Sequence, residues 1–170
     1  MKYKTILADP PWNERGGGKI KRGADKHYNL MKTSDIISMA PFVSSLSGTN
    51  CHLYLWTTNS FLPDALQVMS AWGFKYITTI TWLKGSIGLG QYFRGATEHC
   101  LFGRKGILPY KTLNGKRQQG SSGFYAPKTL HSAKPERMFE MIEKVSYPQR
   151  MELFSRKKRE GWDSWGDEAL

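Results

Sequence analysis

Asp9, Pro10, Pro11 and Trp12 set an acid, two ring-locked residues and an indole side by side. Each proline fixes its own φ and presses the preceding residue into extended backbone, so the segment is stiff. Neither proline has an N–H, yet both keep a carbonyl oxygen. The segment therefore offers two acceptors, the Asp9 carboxylate and the Pro10 carbonyl, in a preset arrangement. Their complement is a group with two N–H donors, such as the exocyclic amine of a nucleobase. Trp12 would supply a flat face for a base taken out of its helix. The same residues also suit a tight turn with a packed tryptophan, and residue types alone do not separate the two readings.

A second constellation runs from His131 to Phe139, "HSAKPERMF". Pro135 is predicted at the first helical position, which puts Lys134 at the N-cap. Lysine caps poorly, and its charge opposes the helix dipole. An anion bound at that helix end, a carboxylate or a phosphate, would remove the conflict. A lysine that merely swings into solvent is the alternative.

Charge points the same way. The 170 residues carry a formal net charge of +11. From Cys100 to Pro135 there is no acid, while Lys111, Lys116 and Arg117 are spread among Gly, Gln, Ser and Asn, as suits phosphate contacts. Arg156-Lys157-Lys158-Arg159 forms another basic cluster, and Arg15, Lys19, Lys21, Arg22 and Lys26 a third. Each alone is an ordinary solvated surface. Together they favour a polyanion partner. No apolar run approaches the roughly 20 residues of a membrane helix, so no membrane partner is expected. Cys51 and Cys100 have no metal-ligand spacing. An intracellular protein without a metal centre is the expectation.

The elements that must position these residues alternate. Thr5–Ala8, His52–Trp56, Lys75–Lys84, Glu98–Phe102 and Arg150–Phe154 are predicted strands, rich in apolar, β-branched and aromatic residues. Leu62–Trp72, ended by Gly73, and Pro135–Ser146 are predicted helices, each with one apolar face. Gly103–Leu130 has turn residues and little periodicity and is read as a long loop. Alternation of this kind predicts one α/β domain over residues 1–170, three layers around a mainly parallel sheet. In such sheets ligands bind beyond the carboxyl ends of the strands, where Asp9 lies.

The blocks "ADPPW", "LYLWTT", "ITWLK", "EHCLFGRKG", "HSAKP", "ELFSR" and "GWDSWGDE" stand in register along the chain. In that order they resemble the DPPW-type adenine-N6 methyltransferases, a family that includes the catalytic subunit of eukaryotic mRNA adenosine methylation and phage and bacterial relatives acting on DNA. The likeness runs from about Thr5 to Glu168. It implies a Rossmann-like methyltransferase fold in permuted order, with the catalytic motif ahead of the cofactor strand and S-adenosylmethionine as methyl donor.

Position by position, the resemblance implies that Asp9, Pro10, Pro11 and Trp12 form the catalytic motif, Asp9 also touching the donor's methionine moiety. Lys134, with Ser132 nearby, matches the lysine that binds the cofactor carboxylate. The nucleotide-binding strand is "MELFSR", bringing Glu152, Phe154 and Arg156 to the cofactor, with Asp167 and Glu168 near its ribose and adenine. Tyr28, Trp82 and Glu98 match positions lining the acceptor pocket, although a strand-end ion pair is an equal reading of Glu98. Asp167 and Glu168 are acidic where amides are common, and no GxG turn follows the last strand. With the chain starting four residues before its first strand, an upstream grip on the cofactor adenine is expected to be missing.

The implied substrate is adenine in nucleic acid. DNA is preferred because short stand-alone relatives are mostly phage or bacterial, which also implies a bacterial or phage-infected cytoplasm. RNA is the alternative substrate, and a non-catalytic nucleic-acid-binding subunit the alternative function, less favoured while the DPPW motif and Lys134 are intact. A monomer or a homodimer is expected. With no further domain to prise a duplex apart, single-stranded or distorted sites are the expected preference.

Overall fold

The computed structural model describes residues 2–13, 29–129 and 133–166. Strand β1 (Tyr3–Ala8) is the short apolar run at the start of the chain, and its side chains alternate between two cores. Ile6 and Ala8 join one and Leu7 the other. Two short helices, α1 (Thr33–Ser38) and α2 (Ala40–Leu46), lead to β2 (Ser47–Thr57). Then come α3 (Leu62–Ala71), β3 (Lys75–Leu83) and β4 (Thr97–Lys105). A small hairpin, β5 (Thr112–Leu113) with β6 (Lys116–Arg117), precedes β7 (Gly123–Tyr125). Helix α4 (Glu136–Val145), β8 (Arg150–Leu153) and β9 (Trp162–Trp165) follow.

The main sheet has the order β7-β3-β4-β2-β1-β8-β9. The ladders β1·β2, β1·β8, β8·β9 and β3·β7 are parallel, and β4 runs antiparallel to both β2 and β3. Side chains from α1, α2 and α3 pack on one face, where Ile36, Val43, Ala65, Val68 and Trp72 meet Leu53, Leu55 and Leu101. The opposite face carries α4, whose Met138, Phe139 and Ile142 meet Leu7, Tyr54, Trp56 and Cys100. This is the expected three-layer α/β arrangement of a Rossmann-like methyltransferase. The chain leaves β1 for β2 on one side and returns to β8 on the other. The strand order therefore reverses at the carboxyl end of β1, where α/β sheets open a crevice.

Three expectations need correction. Gly103–Leu130 is not one loop, because it holds the end of β4, the β5–β6 hairpin and β7. Those pieces are two or three residues long, too short to show a period of two. The α4 N-cap is Pro135, with ψ 140°, so Lys134 lies one residue outside the helix. The segments α1, α2 and β9 were not anticipated: α1 and α2 are barely two turns each, and β9 is a tryptophan-bounded edge strand. Gly73 ends α3 as expected, at φ +83°, donating its N–H to the Ser70 carbonyl.

Candidate active site

Asp9 follows the last residue of β1, and its N–H donates to the Leu153 carbonyl at the end of β8 (3.4 Å). Pro10 and Pro11 then carry the chain off the sheet. The Trp12 N–H donates back to the Pro10 carbonyl (2.9 Å), closing a tight turn about Pro11, and the Met31 N–H donates to the Pro11 carbonyl (2.8 Å). The Pro10 oxygen therefore keeps one lone pair for a second donor.

Trp12 is core, which corrects its reading as a stacking platform. Only 6 % of its surface is exposed, and its ring stacks on Phe61 at 5.6 Å between centroids. Its Nε1–H donates to the Trp56 carbonyl (2.9 Å). A ring with its donor satisfied and its face covered braces the turn and leaves no face for a base.

Three charged side chains meet beside Asp9. The Lys134 ammonium lies 3.2 Å from Asp9 Oδ2 and 2.5 Å from Glu98 Oε1. The Lys84 ammonium takes the other Glu98 oxygen at 2.9 Å. Lys134 also sits over the Trp56 ring (5.1 Å), and Lys84 over the Trp82 ring (5.2 Å). Because β4 is antiparallel, its first residues lie on the same edge of the sheet as the carboxyl ends of β1 and β3. In that register Glu98 pairs with Trp82. The strand-end ion pair, one of the two readings of Glu98, is present.

Lys134 thus resolves its conflict with the helix by turning away from it. Its ammonium reaches two carboxylates, and it neither caps α4 nor swings into solvent. Burial pushes the Asp9 carboxyl above the ordinary carboxylate range, against the pull of Lys134 and Arg156. Burial acts on Glu98 in the same sense, but there the two ammonium groups win and hold the carboxyl below its usual value. For Lys134 burial favours the neutral amine; the two carboxylates outweigh it and keep the group charged.

A cleft of about 560 Å³ opens from this cluster. Asp9 and Lys134 line it together with Glu152, Phe154 and Arg156, so five of the expected cofactor residues meet in one cleft. Burial raises the Glu152 carboxyl too. Phe154 has φ +63°, uncommon for an aromatic residue. That left-handed turn ends β8 at the cleft and sets the Phe154 ring against Trp165 at 5.6 Å, edge to face. Arg159, also in the lining, grips Glu136 with two hydrogen bonds (2.6 and 2.8 Å) and lies over the Phe139 ring at 3.6 Å. Part of the last basic cluster is therefore used inside the protein.

Other expected residues fall elsewhere. Trp82 is 1 % exposed, donates its Nε1–H to the Ala126 carbonyl (2.7 Å) and meets Trp56 edge to face, so it is packed rather than open to a base. The Lys111 ammonium donates to the Glu143 and Ser146 carbonyls at the carboxyl end of α4, the opposite end from Lys134. Ten helical residues put those two ends roughly 15 Å apart. Lys111 is therefore a helix-terminal cation. Lys116 and Arg117 form β6, with Arg117 over the Tyr110 ring at 3.5 Å, on the same side as Lys111. Tyr28, Ser132, Asp167 and Glu168 lie outside the described residues.

Lys84 and Trp56 were missed as site residues, though both stand in blocks noted above, "ITWLK" and "LYLWTT". Neither has a type that announces a role. Pairing register, which a sequence does not display, brings them to Glu98 and Lys134.

Residues 3–168 match the MT-A70 family. The chain belongs to that family. It is a methyltransferase, as the motif order implied. It is 32 % identical over 183 aligned positions to the type II methyltransferase M.MunI of a Mycoplasma species, covering 97 % of this chain and 77 % of that protein. It is 26 % identical to the N6-methyladenosine RNA methyltransferase MTA1 of Cryphonectria parasitica, over 99 % of this chain and 52 % of that one. The human N(6)-adenine-specific methyltransferase METTL4 is also 26 % identical, over 99 % of this chain and 38 % of its own length.

Proposed function

We propose that the protein transfers a methyl group from S-adenosylmethionine to the N6 amine of adenine in DNA. The observation that carries this reading is Asp9. It is a carboxylate at the switch point of the sheet, fixed through one oxygen by Lys134 and standing beside a proline carbonyl with a spare lone pair.

The cleft suits the donor in its mixture of charges. Lys134 and Arg156 would hold its carboxylate, and Asp9 its ammonium. Glu152 would accept from ribose hydroxyls, and Phe154 would cover apolar surface. When bound, the donor supplies an electrophilic sulfonium methyl. The protein's part is to prepare the amine. An aromatic amine is a poor nucleophile because its lone pair is delocalised into the ring. Asp9 and the Pro10 carbonyl each accept one N6 hydrogen, drawing the nitrogen towards tetrahedral geometry and freeing the lone pair. The Asp9–Lys134 contact fixes the carboxylate beforehand, so little reorganisation is left for the reaction itself.

DNA is favoured over RNA because the chain is 32 % identical to the type II methyltransferase and 26 % identical to the fungal RNA enzyme. Labelled donor, matched DNA and RNA oligonucleotides and nucleoside analysis test the reading. N6-methyladenine in DNA is expected, and its rate of formation should fall steeply in Asp9→Ala while DNA affinity stays within about twofold. One lost acceptor should cost about 3 kcal/mol in the transition state, roughly a hundredfold in rate. Methylation of RNA alone would overturn the substrate, and an active Asp9→Ala would overturn the mechanism.

A further inference from the structure

The β3–β4 hairpin does not stop at the sheet. Its last ladder pair is Leu83–Thr97, and one more bond, from the Lys84 N–H to the Ala96 carbonyl (2.9 Å), closes its neck. Beyond the neck, Tyr92 and Phe93 are each 92 % exposed, and Ile87 and Leu89 are mostly exposed as well. Clustered apolar side chains standing in water at a loop tip mark a surface that something covers.

The loop is held in shape. The Gly88 N–H donates to the Gly95 carbonyl (2.6 Å), the Gly95 N–H to the Leu89 carbonyl (3.0 Å) and Arg94 Nε to the Gly88 carbonyl (3.0 Å). Gly85 roots it at φ +71°, with the Tyr125 ring so close that a Cβ would lie 2.6 Å from its hydroxyl. The two aromatic rings are thus presented by a braced hairpin.

Position and charge say what they meet. Trp82 and Glu98 face each other just below the neck, and Glu98 holds the lysine that touches Asp9. The loop therefore rises from the same edge of the sheet as the cleft. No acidic residue occurs from Ala65 to Thr97, while Arg94 adjoins the rings. Aromatic faces with a neighbouring cation suit bases and phosphates.

We propose that Tyr92 and Phe93 are a wedge that enters the base stack of duplex DNA beside the target adenine and occupies the space its extrusion leaves. The inference rests on the functional reading above and deepens it. Taking a paired base out of a duplex requires unstacking, and inserted apolar side chains are a known means of holding a step open. A duplex then becomes an accessible substrate, against the expectation of single-stranded or distorted sites drawn from the sequence.

The test is the double substitution Tyr92→Ala/Phe93→Ala, at positions too exposed to disturb the core, with Phe93→Trp as the conservative control. Methyl incorporation is measured on unmethylated DNA, native and heat-denatured. Lost base–aromatic stacking should lower the rate on native DNA about tenfold or more. The rate on denatured DNA should stay within about twofold, and Phe93→Trp should keep the native rate. Equal losses on both forms, or no loss on native DNA, would overturn the wedge. Anisotropy binding separates this failure from failure of the functional reading. Even if no methyl is transferred, the wild-type protein should bind a duplex with looped-out adenines more tightly than a fully paired one, and the double variant should widen that difference by weakening binding to the paired duplex. An unchanged difference overturns the wedge. A wild-type dimer that the substitutions dissociate in sedimentation assigns the face to a second copy of the chain, and also overturns it.

Discussion

Glu98 binds two ammonium groups with its two oxygens, and Glu98→Gln separates that role from its shape. Asp9, Glu98, Lys134 and Lys84 together are neutral in charge. The amide keeps the volume but leaves the cluster one positive charge in excess, and it turns an N–H₂ group towards one of the lysines. Removing one partner from a buried ion pair costs about 3–5 kcal/mol. Glu98 is 8 % exposed, but the Lys84 side chain is 22 % exposed and can recover some hydration. The lower end, about 3 kcal/mol, is therefore expected, equivalent to roughly 6–12 °C in Tm for a chain of this size. The pH dependence follows from the sign of the shift. The folded-state carboxyl is held below its ordinary value, so its stabilisation is complete above the unfolded pKa near about 4.3 and fades as pH falls through the lower folded value. Urea denaturation of both proteins from pH 3 to 8 measures this. The stability gap should be constant from about pH 6 to 8 and narrow in acid. A variant as stable as the wild type, or a gap that persists undiminished at pH 3, would show that packing rather than ion pairing holds Glu98.

Other outcomes follow from the same geometry. In steady-state rates the acid limb should lie above the ordinary carboxylate range, because burial raises Asp9 and only its ionised form accepts both well and without a proton of its own; in Glu98→Gln that limb should move to lower pH, since Glu98 contributes to the rise. Lys134→Met should weaken binding of S-adenosylhomocysteine by about ten- to a hundredfold in calorimetry, the usual worth of a charge-assisted contact, and unchanged affinity would remove Lys134 from the donor site. Lys111→Met should cost about 1 kcal/mol of stability, since Arg150 also donates to the Glu143 and Ser146 carbonyls, and should leave DNA affinity within about twofold. Trp12→Phe keeps an aromatic face but loses part of the ring volume and the bond to the Trp56 carbonyl, and should cost about 1–3 kcal/mol in denaturation.

What could be read before the structure divides along a physical line. Thr5–Ala8 and the apolar face of α4 announced themselves because burial imposes a period on the residues that satisfy it. Asp9 announced itself because two prolines after an acid have few structural uses. Contact across the sheet leaves no such mark. Nothing in the residues around Glu98 says that β4 runs against its neighbours, yet that reversal alone places Glu98 on the carboxyl edge with Asp9 and Lys134. Lys111 shows the opposite error. Its basic, acid-free surroundings suited phosphate, but a lysine is equally useful to the last carbonyls of a helix, and only the path of the chain past α4 decides between them. Trp12 failed for a related reason. An indole has a face to stack and an N–H to donate, and the sequence displays both without showing that Phe61 and the Trp56 carbonyl already take them. Local chemistry was legible where one residue type has few alternatives. Where a side chain can serve either the fold or a ligand, the choice is made by register and by the neighbours that reach it first. The exposed rings of Tyr92 and Phe93 show the same rule from the other side, because on them no neighbour among the described core closes.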